Sequence, residues 1–185
     1  EQPEHIKFGE SAFTMELHVR FITVGPTRLL SNWSTSISGQ TDEWSLGMLN
    51  STTIQFQYSS GPTYFTWAPS ADTWYHIAAT CNLGTAKVYL DGVLEASGSV
   101  TYNSVSSGNT FTVARGGTSE YAPAKLDDVA VWNEALGDGG VSVGSTATGD
   151  IATLYNSGVP GNILSLGSGP KGWWRMGDGY EGGSG

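Results

Sequence analysis

The stretch Thr73–Val100, TWYHIAATCNLGTAKVYLDGVLEASGSV, decides the fold of this chain. It begins with two apolar extended runs, Thr73–Cys81 and Ala86–Leu90, which are joined by a short Asn-Leu-Gly turn. Asp91-Gly92 then separates the second run from a third. An Asp-Gly pair between alternating runs is a strong hairpin signal, because both residues tolerate the positive φ of a tight turn. The stretch therefore predicts consecutive antiparallel strands.

The same period of two appears on both sides of this stretch. In Phe13–Ile22 the apolar side chains fall on one face, while Glu16, His18 and Arg20 fall on the other. This pattern predicts a half-buried strand. Further predicted strands are Glu43–Leu49, Thr53–Ser59, Phe111–Arg115, Leu126–Trp132 and Gly172–Met176.

One short helix is predicted near 150–157, in the segment DIATLYNSG. Asp150 is its predicted N-cap and Gly158 its C-terminal stop. A helix of about two turns is unstable alone, so it must dock on the strands. Its apolar face consists of Ile151, Leu154 and Tyr155. The pattern as a whole predicts an all-β antiparallel sandwich with one short helix.

Length and composition limit the organisation and the partners. The chain has 185 residues, which suits one domain; we place it at 1–176, with the Gly-rich 177–185 as a tail or linker. The formal charge of -9 and the lack of a basic cluster argue against nucleic acid and anionic membranes. No apolar run is long enough for a membrane span. The single cysteine, Cys81, is predicted to be a small buried hydrophobe.

Together these residues resemble the laminin-G-like and pentraxin-like domains of the concanavalin A-like superfamily. The match rests on the stretch 73–100, on KLDDVAVWNEAL with DIATLYNSG, and on FTMELHVRF. The resemblance implies a jelly-roll sandwich of two antiparallel sheets, in which His76 is structural. It also places Trp74, Trp132 and Trp174 in strand signatures, where core positions are expected.

A second resemblance lies in the C-terminal third. The segment LYNSGVPGNI, running on to GWWRMGDG, is similar to modules of large virion structural proteins of marine bacteriophages. There such modules serve as capsid decorations, tail parts or fibres. The resemblance implies a virion component.

The sequence does not predict a catalytic site. Glucanases of this fold carry paired carboxylates two to four residues apart on one strand face. Asp127 and Asp128 are adjacent, so on a regular strand they face opposite sides. Glu16 has no second acid near it in sequence, and no zinc-ligand spacing occurs. We therefore expect no enzyme, and an atypical glycan-cleaving enzyme is the less favoured alternative.

Calcium is the cofactor that the resemblance raises. The segment GQTDEWSLGM resembles the pentraxin segment that supplies an aspartate ligand. The resemblance implies Asp42 as a ligand, with Glu43 or Gln40 beside it. The second acidic loop falls near ARGGTSEY, where only Glu120 remains. Calcium takes six to eight oxygen ligands, so this set is incomplete.

Aromatic side chains in or beside loops are the candidate sugar-binding residues, because an exposed ring can stack on a sugar. Contact with the core or with another subunit is the competing interpretation for each ring. The candidates are Trp33, Tyr64, Trp67 and Tyr102.

These observations predict a non-catalytic binding or assembly module, and the second resemblance places it on a virion surface. It would decorate a capsid or tail, or contact host glycans. Its partners would be glycans, other virion or surface proteins, or a second copy of the chain. The alternative is a carbohydrate-binding adhesion module of an extracellular multidomain protein. The expected location is the virion surface or the extracellular space.

Overall fold

The computed structural model describes residues 12–33, 44–58, 61–100, 110–116 and 120–176. The predicted tail 177–185 lies outside these residues. The strands are β1 (Ala12–Phe21), β2 (Thr27–Trp33), β3 (Trp44–Asn50), β4 (Thr53–Tyr58), β5 (Gly61–Thr66), β6 (Trp74–Asn82), β7 (Thr85–Leu90), β8 (Val93–Ser99), β9 (Thr110–Val113), β10 (Arg115–Gly116), β11 (Glu120–Tyr121), β12 (Ala124–Trp132) and β13 (Gly172–Trp174). The helix α1 (Gly149–Tyr155) is followed by a 3-10 turn, Asn156–Gly158.

The strands form two antiparallel sheets that pack face to face, which confirms the predicted sandwich. A six-stranded sheet has the order β13-β12-β1-β6-β7-β8, and a five-stranded sheet has the order β5-β4-β3-β2-β9. β10 and β11 form a small separate hairpin. The stretch 73–100 supplies β6, β7 and β8 as neighbours. Its Asp-Gly turn has positive φ at both residues, 47° at Asp91 and 77° at Gly92.

The main core lies between the sheets and consists of the inward-facing half of each strand. Phe13, Met15 and Leu17 of β1 are fully buried there, and Cys81 is buried as predicted. Trp44 packs on Phe13 with ring centroids 6.2 Å apart.

A second core covers the outer face of the six-stranded sheet. The chain after β12 runs over this face, and α1 docks there through Ile151 and Leu154. β1 is consequently buried on both faces. The prediction of a half-buried strand is wrong for Glu16 and His18, whose exposed fractions are only 2% and 4%. The other members of this second core are Ala78, Tyr89, Leu94, Ala130, Trp132, Leu136, Ala147, Ile163 and Leu166.

Other predictions need correction. β2 and β5 were not predicted. The N-cap of α1 is Thr148, and Asp150 lies in the first turn. Trp132 is fully buried as expected, but Trp74 is 45% exposed. Trp74 begins β6 on its outer face, beyond the part that the second core covers. Trp174 is half-buried and stacks on Phe111 at 5.3 Å.

Candidate functional site

The outer face of the five-stranded sheet carries a row of functional groups across four adjacent strands. Strand register places Tyr64 of β5 opposite Gln55 of β4. Gln55 is opposite Gly47 of β3, and Gly47 is opposite Arg28 of β2. Tyr64 is 49% exposed. Since neighbouring strands lie about 4.8 Å apart, the row extends over roughly 14 Å.

A second row of neutral polar groups runs beside the first. Gln57 of β4 is opposite Ser45 of β3, and Ser45 is opposite Ser31 of β2. The hydroxyls of Ser31 and Thr112 of β9 lie 2.7 Å apart. Gln55 Nε2 donates to Gln57 Oε1 at 3.2 Å, which links the two rows. Ser31 and Ser45 are only 0% and 1% exposed, so the amides of Gln55 and Gln57, which both donate and accept hydrogen bonds, are the groups that these rows present to solvent.

A cleft of about 250 Å³ opens on this face, and we call it the outer cleft. A Cβ atom on Gly47 would lie 2.1 Å from the carbonyl oxygen of Thr27. β2 comes this close because its pairing with β3 is irregular between Arg28 and Leu30. The shape of the outer cleft therefore depends on a glycine at position 47. Its lining consists of Pro26, Thr27, Arg28, Ser45, Gly47, Met48, Leu49 and Gln55.

The chemistry of this face suits binding better than hydrolysis. The strands that form it, β2 to β5 and β9, contain no aspartate or glutamate. Most glycoside hydrolases need two carboxyl groups beside the scissile bond. An exposed ring next to amides, hydroxyls and one guanidinium can instead stack on a sugar and bind its hydroxyls.

The predicted sugar-binding aromatics have different positions. Tyr64 lies on the outer face, next to Gln55. Trp67 is half-buried and packs on Tyr75, with ring centroids 4.9 Å apart, and on Phe21 at 6.0 Å. Trp33 ends β2, but its side chain lies outside the described residues, as does all of Tyr102.

The predicted calcium ligands cannot be placed together. Asp42 and Glu43 lie outside the described residues, and so does the side chain of Glu120, whose backbone belongs to β11. Within the described part of the chain, no group of three His, Cys, Asp or Glu side chains could hold a metal ion. Calcium therefore stays a prediction from the resemblance.

A buried group of ionisable side chains lies beneath the second core. His76 Nε2 and Glu16 Oε2 are 3.1 Å apart, and the ring of His18 packs against that of His76 at a tilt of 50°, with ring centroids 5.0 Å apart. Burial raises the pKa of Glu16 well above its usual value, and the charges of Asp128 and Asp127 add to this. Burial lowers the pKa of both histidines to about 4, and His76 also contributes to lowering the pKa of His18. Both histidines are thus neutral at neutral pH.

The sequence argument about Asp127 and Asp128 was wrong in its geometry. β12 bulges between these residues and Ala130, and Asp128 adopts a positive φ of 45°. Both carboxylates consequently contact the C-terminal segment on one side. Asp127 Oδ1 accepts from the amide of Met176 at 3.1 Å, and Asp128 Oδ1 accepts from Trp173 Nε1 at 3.0 Å. Asp128 is only 3% exposed, so its carboxylate is not open to a polysaccharide.

The polar residues of the outer cleft were missed from the sequence, although a signal was present. In the run TIQFQY the apolar Ile54 and Phe56 alternate with Gln55 and Gln57. Period two therefore predicts that both amides share the outer face. Arg28 could not be placed in the same way, because β2 was not recognised as a strand.

The fold and the outer cleft define a lectin-like β-sandwich. The concanavalin A-like lectin/glucanases superfamily, in its laminin-G group, matches residues 2–142. The chain belongs to this family. No curated protein sequence matches the chain.

Solved structures share the fold at low sequence identity. One is a protein from Bacteroides ovatus for which carbohydrate binding has been proposed. It is 16% identical with a TM-score of 0.67, and the match covers 97% of this chain and 49% of that one. Trypanosoma rangeli sialidase is 17% identical with a TM-score of 0.59, over 80% of this chain and 23% of that one. Its complex with sialic acid is 19% identical with a TM-score of 0.57, over 82% and 24%. The chain thus spans about a quarter of the sialidase and half of the Bacteroides protein.

Within the described part of the chain, no helix is both long and apolar enough to cross a membrane.

Proposed function

We propose that this domain is a non-catalytic carbohydrate-binding module and that a glycan binds along the outer cleft. The observation that carries the proposal is the row Tyr64, Gln55 and Arg28, which crosses a sheet face whose strands contain no carboxylate. The ring of Tyr64 would stack on one sugar. The amide of Gln55 and the guanidinium of Arg28 would bind hydroxyls further along the chain of sugars.

The family and the neighbouring folds support this proposal. The superfamily includes lectins, and the Bacteroides ovatus protein with the same fold has carbohydrate binding proposed for it. The sialidases support only the fold, because this chain matches about a quarter of their length. Hydrolysis is the competing function, and release of reducing sugar from a polysaccharide panel would establish it.

A glycan array followed by calorimetry tests the proposal. Tyr64→Ala should raise the Kd of the glycan about tenfold, since stacking of an aromatic ring contributes about 1 kcal/mol or more. Thr66→Ala is the matched control, because Thr66 is exposed on the same strand and the same face. Equal Kd values for the two variants would place the glycan elsewhere on the domain. A lack of binding to every glycan on the array would contradict a lectin role.

The second candidate function is assembly on a virion. It rests on the resemblance of LYNSGVPGNI and GWWRMGDG to bacteriophage modules, and it would place the domain on a virion surface. In that case the outer face would contact a neighbouring structural protein or a second copy of the chain. A lack of binding to the glycan array, together with concentration-dependent self-association in analytical ultracentrifugation, would favour assembly. A monomer that binds glycans would favour the lectin function or an extracellular adhesion module.

Calcium binding is a separate proposal that rests on Asp42, Glu43 and Glu120. An ion that binds only the folded chain must raise its Tm by mass action. Calcium should therefore raise the Tm relative to EDTA, and Asp42→Asn should remove the increase. Equal melting temperatures in calcium and EDTA would contradict this proposal without affecting the outer cleft.

A further inference from the structure

The uncovered end of the six-stranded sheet presents a second aromatic and polar surface, remote in the fold from the outer cleft. Trp74 of β6 is opposite Arg20 of β1, and Arg20 is opposite Lys125 of β12. Their side chains share the outer face of this sheet, where the second core ends. Trp74 is 45% exposed, so its ring is not packed within that core. We call Trp74, Arg20, Asp72 and Lys125 the end surface.

Beside Trp74, an ion pair fixes a donor and an acceptor. Arg20 Nη2 donates to Asp72 Oδ1 at 2.9 Å. The backbone also holds Asp72, because its amide donates to the carbonyl of Phe21 at 2.8 Å. Asp72 remains 69% exposed, so its carboxylate can accept further hydrogen bonds. The guanidinium and the carboxylate therefore stand in a fixed arrangement next to an exposed indole ring.

Two polar groups next to this ion pair are buried. Arg20 Nε and both ring nitrogens of His18 are buried without a partner among the described residues. His18 lies two residues before Arg20 and is only 4% exposed. A ligand cannot contact these atoms, because they lie beneath the surface. The end surface therefore offers a ligand the indole of Trp74, Nη2 of Arg20 and the carboxylate of Asp72.

We propose that the end surface is a second binding site, for a neutral pyranose. The apolar face of the sugar would stack on Trp74, and adjacent hydroxyls would donate to Asp72 and accept from Arg20. A sugar hydroxyl both donates and accepts, so a neutral sugar can bind both members of the Arg20–Asp72 ion pair at once. This site goes beyond the outer cleft, and neither depends on the other.

Fluorine NMR of the full 185-residue chain labelled with 5-fluorotryptophan tests the proposal. The chain contains seven tryptophans, and Trp74→Phe identifies the signal of Trp74. The probes are oligosaccharides of glucose, galactose, mannose and N-acetylglucosamine at millimolar concentration, with N-acetylneuraminic acid as the anionic probe. At least one neutral probe should shift the Trp74 signal saturably.

Two variants separate this site from the outer cleft. Asp72→Gly suits the positive φ of 60° at this position and removes the acceptor, so it should raise the Kd about tenfold. Tyr64→Ala should leave the titration of the Trp74 signal unchanged. The proposal is overturned if no neutral probe shifts the signal, if only the anionic probe does, or if Asp72→Gly binds like the wild type. Loss of the shift in Tyr64→Ala would assign the binding to the outer cleft.

Discussion

Glu16→Gln should make the stability of this protein depend more steeply on pH. Glu16 is buried beside His76, and its pKa is raised above the value of 4.5 that it has in the unfolded chain. His18 and His76 are shifted in the opposite direction, from 6.5 to about 4. Between pH 4.5 and 6.5, Glu16 therefore changes the free energy of unfolding in one direction, and the two histidines change it in the other.

The sign follows from the protons that each state binds. The two histidines give stability that is complete above pH 6.5 and is lost as the pH falls toward 4, because only the unfolded chain protonates them there. Glu16 gives stability that is complete below pH 4.5 and is lost as the pH rises through its raised pKa. Each proton changes the slope by about 1.4 kcal/mol per pH unit. The wild type should thus approach a slope of about 1.4 kcal/mol per unit, and Glu16→Gln about 2.7.

Urea unfolding monitored by circular dichroism, at intervals between pH 4.5 and 6.5, measures both slopes. Glu95→Gln, on β8, is the control for the loss of one carboxyl group elsewhere, and it should follow the wild type. Parallel profiles for Glu16→Gln and the wild type would show that native Glu16 is ionised. The pair binds one proton whether that proton lies on Glu16 or on His76, so both forms give a steeper profile for the variant, and a shallower profile would contradict a shared proton altogether.

Two further substitutions test the packing around each sheet. Gly47→Ala should lower the free energy of unfolding by about 2 kcal/mol, because its Cβ meets the carbonyl oxygen of Thr27. Gly25→Ala is its control, since no atom lies within 4 Å of a Cβ there, and equal melting temperatures would refute the close approach. Leu154→Ala should cost about 3 kcal/mol, because Leu154 is 2% exposed in the second core. The exposed Thr153→Ala should change the Tm little, and a similarly small effect of Leu154→Ala would mean that α1 is not docked.

The sequence predicted the central strands because their alternation and their turns agree. The Asp-Gly turn at 91–92 fixes the β7–β8 hairpin, and β1 shows five apolar residues with period two. β2 was missed because Leu29 and Leu30 are both buried around an irregular pairing, so the period of two is broken. β5 was missed because it begins with Gly61-Pro62, which reads as a turn.

The errors about single residues have tertiary causes. The alternation of β1 predicts a solvated face for Glu16, but it does not show that a segment more than 100 residues later in the chain covers that face. Asp127 and Asp128 share a side only because Asp128 takes a positive φ, which is uncommon for a residue other than glycine. Trp74 lies in a strand signature, yet the covering segment ends before it reaches this ring.

The course of the chain after β12 determines where this domain can bind a ligand. That segment closes most of the outer face of the six-stranded sheet with a second core, and in doing so it buries Asp128 of β12 and the pair formed by Glu16 and His76. The carboxylates of Asp128 and Glu16 are thereby removed from polysaccharide access. The outer face of the five-stranded sheet, which carries the outer cleft, has hydroxyls and amides but no carboxylate on its strands. The packing that stabilises the sandwich therefore supports the proposal that this domain binds a glycan without cleaving it.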